Sequence, residues 1–119
     1  DARVTAILGI QLNVLAGYRS LSHEFKEAKV FTGPELNYLE QVFTSLLDDL
    51  AFGIATLTDL LTDGKLKMND AGRTKRMDEL YDRASEQYEF FNGFSGQVKL
   101  QELQRKQELL ETGKLQKMY

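Results

Sequence analysis

Two interruptions divide this chain into three long amphipathic segments, and no other punctuation of similar strength occurs in its 119 residues. The first is Thr32-Gly33-Pro34-Glu35; the second is the stretch from Asp63-Gly64 to Asn69-Asp70. Between and beyond them, apolar residues recur at steps of three and four, the period of a helix face. Segments of roughly 28 residues make rods of about 42 Å at 1.5 Å per residue. Rods of matched length joined by short connections lead to an all-α fold, an elongated antiparallel three-helix bundle. The helices are expected near 2–30, 34–62 and 70–96, with a helical extension over 97–119.

Each segment supplies a core face. In the first it runs through Ile7, Val14, Tyr18, Leu21, Phe25 and Ala28, interrupted by Gln11. A second row, Val4, Leu8, Leu12 and Leu15, makes the N-terminal half apolar over a wider arc, which calls for cover from two sides or from a partner. The second segment is the most regular: Leu36, Leu39, Phe43, Leu46, Leu50, Gly53, Leu57 and Leu60, with Leu47, Ile54 and Leu61 alongside. Gly53 on that seam allows close helix approach at some cost in helix stability.

The boundaries carry their own chemistry. Thr32-Gly33-Pro34-Glu35 reads as a capping box, in which hydroxyl and carboxylate each satisfy the other residue's backbone N–H. Proline is harmless in a first turn, where N–H groups have no partner within the helix. Phe31 and Leu36 flank the cap as an apolar staple. Gly64 is placed to end the second helix in a left-handed conformation. Asn69 serves as N-cap of the third, with Asp70 favourable to its dipole.

The third segment shows Met77, Leu80/Tyr81, Ala84, Tyr88, Phe91, Phe94 and Val98, after which the pattern shifts phase. Residues 101, 102 and 105 are Gln, Glu and Arg, and the apolar set becomes Leu100, Leu103 and Leu110. The shift falls beside Asn92-Gly93-Phe94-Ser95-Gly96, where a bend or interruption is expected. The matched lengths place the top of the bundle near Gly96, so that residues 97–119 project past it. That projection carries Lys99, Arg105, Lys106, Lys114 and Lys117 against Glu102, Glu108 and Glu111.

Composition narrows the chemistry. A net charge of −3 gives no basic field to attract nucleic acid. The absence of cysteine removes disulfides, thiol catalysis and thiolate metal sites. No apolar run reaches the roughly 18 residues of a membrane span. The sequence starts at Asp1 and not at Met, which is compatible with a processed signal peptide.

Catalytic constellations are sparse. The one histidine, His23, lies one turn from Glu27, but a di-metal helical site takes two histidines, so His23 reads as a surface residue. Asp48 and Asp49 point about 100° apart on a helix and cannot converge on one atom. Gly93-Phe94-Ser95-Gly96 lacks the strand–turn–helix setting of a nucleophile motif, and no glycine-rich phosphate loop is present. Arg73, Lys75, Arg76 and Arg83, interleaved with Asp78, Glu79, Asp82 and Glu86, read as ion pairs along a solvated face. The aromatic series Tyr81, Tyr88, Phe91 and Phe94 reads as core, with Phe90 exposed beside it. No enzyme activity, cofactor or metal is expected.

Leu66-Lys67-Met68-Asn69-Asp70, followed by Arg73, Arg76-Met77-Asp78 and Tyr81, resembles a pattern in small helical transfer proteins of Bacteroidetes conjugative transposons. In that family a turn ending in Leu-x-Met-Ser/Thr-Asp leads into a helix of the type Glu-Arg-hydrophobic-Asp-x-hydrophobic-Tyr. The likeness is sharpest over 66–81 and extends loosely over 36–110. Gly72 stands where the family pattern has an acidic residue. The resemblance implies an exported, periplasmic protein working with a type IV secretion apparatus, an architecture that also suits the minor pilus subunits of such systems. It brings no catalytic residues.

The expected function is therefore structural: a non-enzymatic interaction protein of a conjugative transfer apparatus, with a cytoplasmic adaptor or self-associating helical domain as the alternative. Its expected partners are other proteins, whether apparatus components or further copies of itself, and not nucleic acid. The expected contact residues are Phe90, Leu100, Leu103, Arg105, Lys106 and Leu110.

Overall fold

The computed structural model describes residues 2–62 and 69–118, with side chains described through Gly113. The expected cap at Gly64, and residues 66–68 of the family likeness, lie outside the described residues. Among those described, the chain forms three α-helices and no strand: α1 Ala2–Ala28, α2 Gly33–Thr62 and α3 Asp70–Met118. All three pairs of helices are in contact, as an all-α three-helix bundle requires.

Contacts between the helices give their directions. Arg3 reaches Asp78 and Arg105 reaches the Val30 carbonyl, both 75 residues apart in sequence, so α1 and α3 run the same way. Arg83 meets Asp49 and Arg105 meets Glu35, separations of 34 and 70, so α2 runs opposite to α3. The molecule measures 76 × 21 × 15 Å. Its long axis is α3 itself, since 49 residues at about 1.5 Å each span roughly 74 Å.

Buried positions repeat every seven residues on each helix: Ile7, Val14 and Leu21; Leu39, Leu46, Gly53 and Leu60; Met77, Ala84, Phe91 and Val98. That spacing keeps one seam facing the neighbouring helices of a bundle. The core separates into two clusters. The upper one, at the α1–α2 connection, gathers Val14, Leu21, Phe25, Leu39, Phe43, Leu46, Leu50, Phe91 and Val98. The lower one holds Ile7, Leu57, Leu60, Met77, Leu80 and Ala84. Where the two meet, each helix contributes a residue that is not a bulky hydrophobe: Gln11, Gly53 and Gln87, all buried. A Cβ on Gly53 would stand 3.1 Å from Gln11 Nε2, so the glycine makes room for that amide.

The helix ends follow the sequence. Thr32 N–H donates to Glu35 Oε1 at 2.9 Å and Glu35 N–H donates to Thr32 Oγ1 at 3.2 Å, the reciprocal capping box. Asn69 Oδ1 accepts from Gly72 N–H at 2.8 Å, capping α3. α1 stops at Ala28, short of the expected residue 30, because Lys29 takes the left-handed conformation (φ 57°) that reverses the chain.

Three expectations about the third segment change. α3 continues without interruption through Asn92–Gly96, and none of its described glycines has positive φ. The pattern also keeps its phase. Beyond Val98 the inward positions are Gln101, Glu102 and Arg105; Gln101 and Arg105 are polar because they meet the cap of α2 and not the apolar core, and Glu102 is buried with Lys106 Nζ 3.6 Å from its Oε2. Packing therefore passes Gly96 and reaches Arg105, about two and a half turns farther than matched lengths implied. Finally, Tyr81 and Tyr88 are 39% and 40% exposed, while Gln87 takes the buried position expected for Tyr88. In a seven-residue repeat, 80, 87 and 94 share one line, and 81 and 88 fall on its shoulder.

Candidate interaction surfaces

The feature that positions the end of α3 is a single carboxylate. Glu35 sits in the third residue of α2, already committed to the capping box. Arg105 approaches from α3 with both terminal nitrogens, Nη1 to Oε1 at 2.9 Å and Nη2 to Oε2 at 2.6 Å. Nη1 also donates to the Val30 carbonyl at 3.1 Å, and Gln101 Nε2 donates to Glu35 Oε2 at 3.2 Å. Two parallel N–H···O bonds to one carboxylate are both stronger and more directional than a single contact. The Arg105 guanidinium, aided by the Thr32 N–H, lowers the Glu35 carboxyl pKa from 4.5 to about 2. The same contact pushes Arg105 upward. Arg105, expected to face a partner, is thus engaged within the fold.

The other expected contact residues lie outside. Leu100, Leu103 and Leu110 are 56%, 63% and 67% exposed, and Leu109 joins them at 59%. Leu100 and Leu103 point away from the bundle, since a residue two places beyond a core position is turned about 200°. Leu109 lies on the line of the core but above the last turn of the partner helices. Lys106 is half-exposed, its Nζ 3.6 Å from Glu102 Oε2. Phe90 is exposed and stacks on Phe94 with centroids 5.8 Å apart and planes 11° from parallel. It is separate from the leucines, standing in the groove between α2 and α3.

That groove has two parts. One, about 540 Å³, is lined by Val42, Ser45, Leu46, Asp49, Arg83, Glu86, Gln87 and Phe90. Arg83 crosses it to Asp49 at 3.4 Å and lies over the Phe52 ring at 5.5 Å. The other, about 430 Å³, lies between Phe31, Pro34, Glu35, Tyr38, Leu39, Phe94, Gln97, Val98 and Gln101. Among the aromatic residues the sequence singles out Phe90 as exposed; Tyr38 and Phe52, on the regular second segment, are also 59% and 58% exposed. Their signal was that they fall off the line of Leu39, Leu46 and Leu50.

On the far side of the molecule, Leu8, Leu12, Ile54 and Leu61 are 38%, 64%, 43% and 40% exposed. They belong to the second apolar rows of α1 and α2, and no described element covers them.

Among the described residues no group of three or more His, Cys, Asp or Glu could hold a metal. His23 is exposed, whereas Ser95 is buried in the bundle with Oγ unpartnered. The basic cluster divides its contacts: Arg76 pairs with Glu79 along α3, but Arg83 and Asp78 reach across to α2 and α1. No described helix is long and apolar enough to cross a membrane.

Comparisons with protein-family models, with curated proteins and with solved structures give no match for this chain.

Proposed function

We propose that this chain is a non-enzymatic structural protein of a conjugative transfer apparatus of the type IV secretion kind, holding other proteins through its helical surfaces. One observation carries the binding part: three leucines over half exposed, Leu100, Leu103 and Leu110, on the outward side of α3, a helix anchored by the Arg105–Glu35 clamp. Isolated exposed leucines are ordinary, but a row of them along one side of a helix supports a contact surface. Assignment to a transfer apparatus, and with it an exported, periplasmic location, rests on the resemblance carried by Asn69-Asp70, Arg73, Arg76-Met77-Asp78 and Tyr81 together with 66–68. Gly72 departs from that pattern.

The test is to isolate the protein from its native envelope and identify what accompanies it. Transfer-apparatus components should co-purify, and Leu103→Lys with Leu110→Lys should release them. Recovery as a cytoplasmic protein without transfer components removes the apparatus reading. A helical adaptor that binds a partner helix or itself is then the better reading, supported by the uncovered Leu8, Leu12, Ile54 and Leu61.

A further inference from the structure

The seam between α1 and α2 changes character along its length. Near the α1–α2 connection it is charged: Lys26 Nζ lies 3.0 Å from Glu40 Oε1, which marks the outer edge of the seam. Steps of seven or eleven residues return to within about 20° of the same direction on a helix. Such steps carry that edge from Lys26 to Leu15, Leu8 and Val4 on α1. On α2 they carry it from Glu40 to Leu47, Ile54 and Leu61. No charged residue occurs from Val4 to Tyr18 or from Leu50 to Thr58. The two uncharged stretches lie side by side, because Gln11 meets Gly53 between them.

This face has the composition of the centre of an interface. Protein contacts are distinguished less by overall hydrophobicity than by depletion of charge at their centre. Fifteen uncharged residues on α1, about 22 Å, beside nine on α2, about 13 Å, give a face some 20 Å wide and roughly 350 Å² in area. A standard interface takes about 800 Å² from each partner, an apolar centre inside a polar rim. The uncharged face is the size of such a centre, and Arg19, Asp48 and Asp59 border it as a rim. Gly9 has no atom within 4 Å of where a Cβ would stand, so another helix can come close there.

The occupant must match. A charged surface placed here would lose its hydration with nothing to replace it. The leucine row of α3 is interleaved with Lys99, Lys106, Glu108 and Glu111, leaving the α1/α2 face as its own best complement. A bilayer surface favours a basic rim, and this rim includes Asp48 and Asp59 on a chain of net charge −3. We infer that a second copy of this chain docks on the uncharged α1/α2 face, like face to like face about a two-fold axis. The inference goes beyond the proposed function, and neither needs the other.

Sedimentation equilibrium of the full chain, from micromolar to hundreds of micromolar, tests it. The wild type should pass from monomer to dimer over that range. Leu12→Lys with Ile54→Lys should weaken the dimer by about 100-fold or more, the effect of losing central contacts. Its melting temperature at high dilution should match the wild type. Gly9→Arg, at an open position, should give the same loss and serves if the double variant melts early. Leu103→Lys with Leu110→Lys should leave the dimer intact. A wild type that stays monomeric overturns the inference, as does a dimer that survives Leu12→Lys/Ile54→Lys and Gly9→Arg. Loss of the dimer in the α3 variant also overturns it, by moving the contact to the tail. Vesicle flotation with neutral phosphatidylcholine provides the remaining arm: binding by a monomeric wild type, abolished by Leu12→Lys/Ile54→Lys, would make the face a lipid contact and end the proposal.

Discussion

Near the α1–α2 connection the core is aromatic. Phe25, Phe43 and Phe91 are buried there, with Tyr18, Phe31 and Phe94 packed around them. Ring contacts join Tyr18, Phe91 and Phe94 to Phe43, at 4.6, 6.3 and 5.8 Å, and Phe25 to Phe31 at 5.4 Å. At the other end the core is aliphatic and smaller, built on Ile7, Leu57, Leu60, Met77, Leu80 and Ala84. The large rings fill the space between three helices and let charged residues close the seams, as Lys26–Glu40 and Arg105–Glu35 do. The aliphatic end has less inside, and it leaves Leu8, Leu12, Ile54 and Leu61 outside on α1 and α2; the aromatic end leaves Tyr38, Phe90, Leu100 and Leu103 outside on α2 and α3. The two halves differ in what fills them and in which face carries their apolar surface.

The largest effect expected from disturbing this contrast is at Phe43, 1% exposed and in contact with three other rings. Phe43→Ala should cost about 3–5 kcal/mol in urea unfolding, and Leu57→Ala in the lower cluster about 2–4. If the lower change costs more, the aromatic end is not the stronger half. Next comes Gly17, where a Cβ would stand 2.6 Å from Phe91 Cε1. Gly17→Ala should destabilise by roughly 1–3 kcal/mol through overpacking, and Phe91→Leu in the same chain should recover part of the loss. Gly53→Ala presses only on the flexible end of Gln11, and better helix propensity offsets it, so a change within about 1 kcal/mol is expected.

The clamp gives a pH signature confined to the upper end. The Glu35 carboxyl is depressed from 4.5 to about 2 by its hydrogen bonds from Arg105 and the Thr32 N–H. A depressed acid stabilises the fold above its unfolded value and loses that contribution as pH falls through the folded one. Melting temperature should therefore drop between about pH 5 and pH 2 in the wild type, and Glu35→Gln should remove that part of the slope while lowering stability at neutral pH. A Gln variant with an unchanged acid profile would mean that the clamp does not form in solution. The smallest effect should come from Leu103→Lys with Leu110→Lys, within about 0.5 kcal/mol per site, because exposed positions carry little of the stability.

Much of this architecture was legible because helices announce themselves locally. The Thr32–Glu35 box, the Asn69 cap and the seven-residue spacing of Leu39, Leu46 and Leu60 each depend on neighbours a few residues away. What escaped depends on residues far apart in sequence. Gln101, Glu102 and Arg105 look like the end of a core because the pattern scores them as polar. The partner of Gln101 and Arg105, Glu35, lies 66 and 70 residues earlier. Gly17 gives no sign of its role, since only the fold brings the Phe91 ring against it. Gln87 and Tyr88 could exchange places without altering the periodicity by more than one position, and hydrophobicity favoured the wrong one. Among the surfaces, Leu100, Leu103 and Leu110 stand out in the sequence as an apolar set that looks like a shift of phase, and the structure leaves them exposed outside a core line that does not shift. The uncharged α1/α2 face needed the Lys26–Glu40 bridge to show which edges of the two helices meet.

Sharing of Glu35 between two tasks has a consequence for how the molecule opens. The carboxylate that starts α2 is also the one that grips α3, so the first turn of α2 and the docking of a segment 70 residues later report on each other. Fraying of that turn swings away the acceptor for Arg105, and release of Arg105 removes a support of the turn. The exposed leucine row is thus carried by a helix whose docking is latched to a helix cap. A pull on the far end of the rod that releases Arg105 loosens the bond from the Leu36 amide to the Thr32 carbonyl, and faster hydrogen exchange there would register a load on the tail.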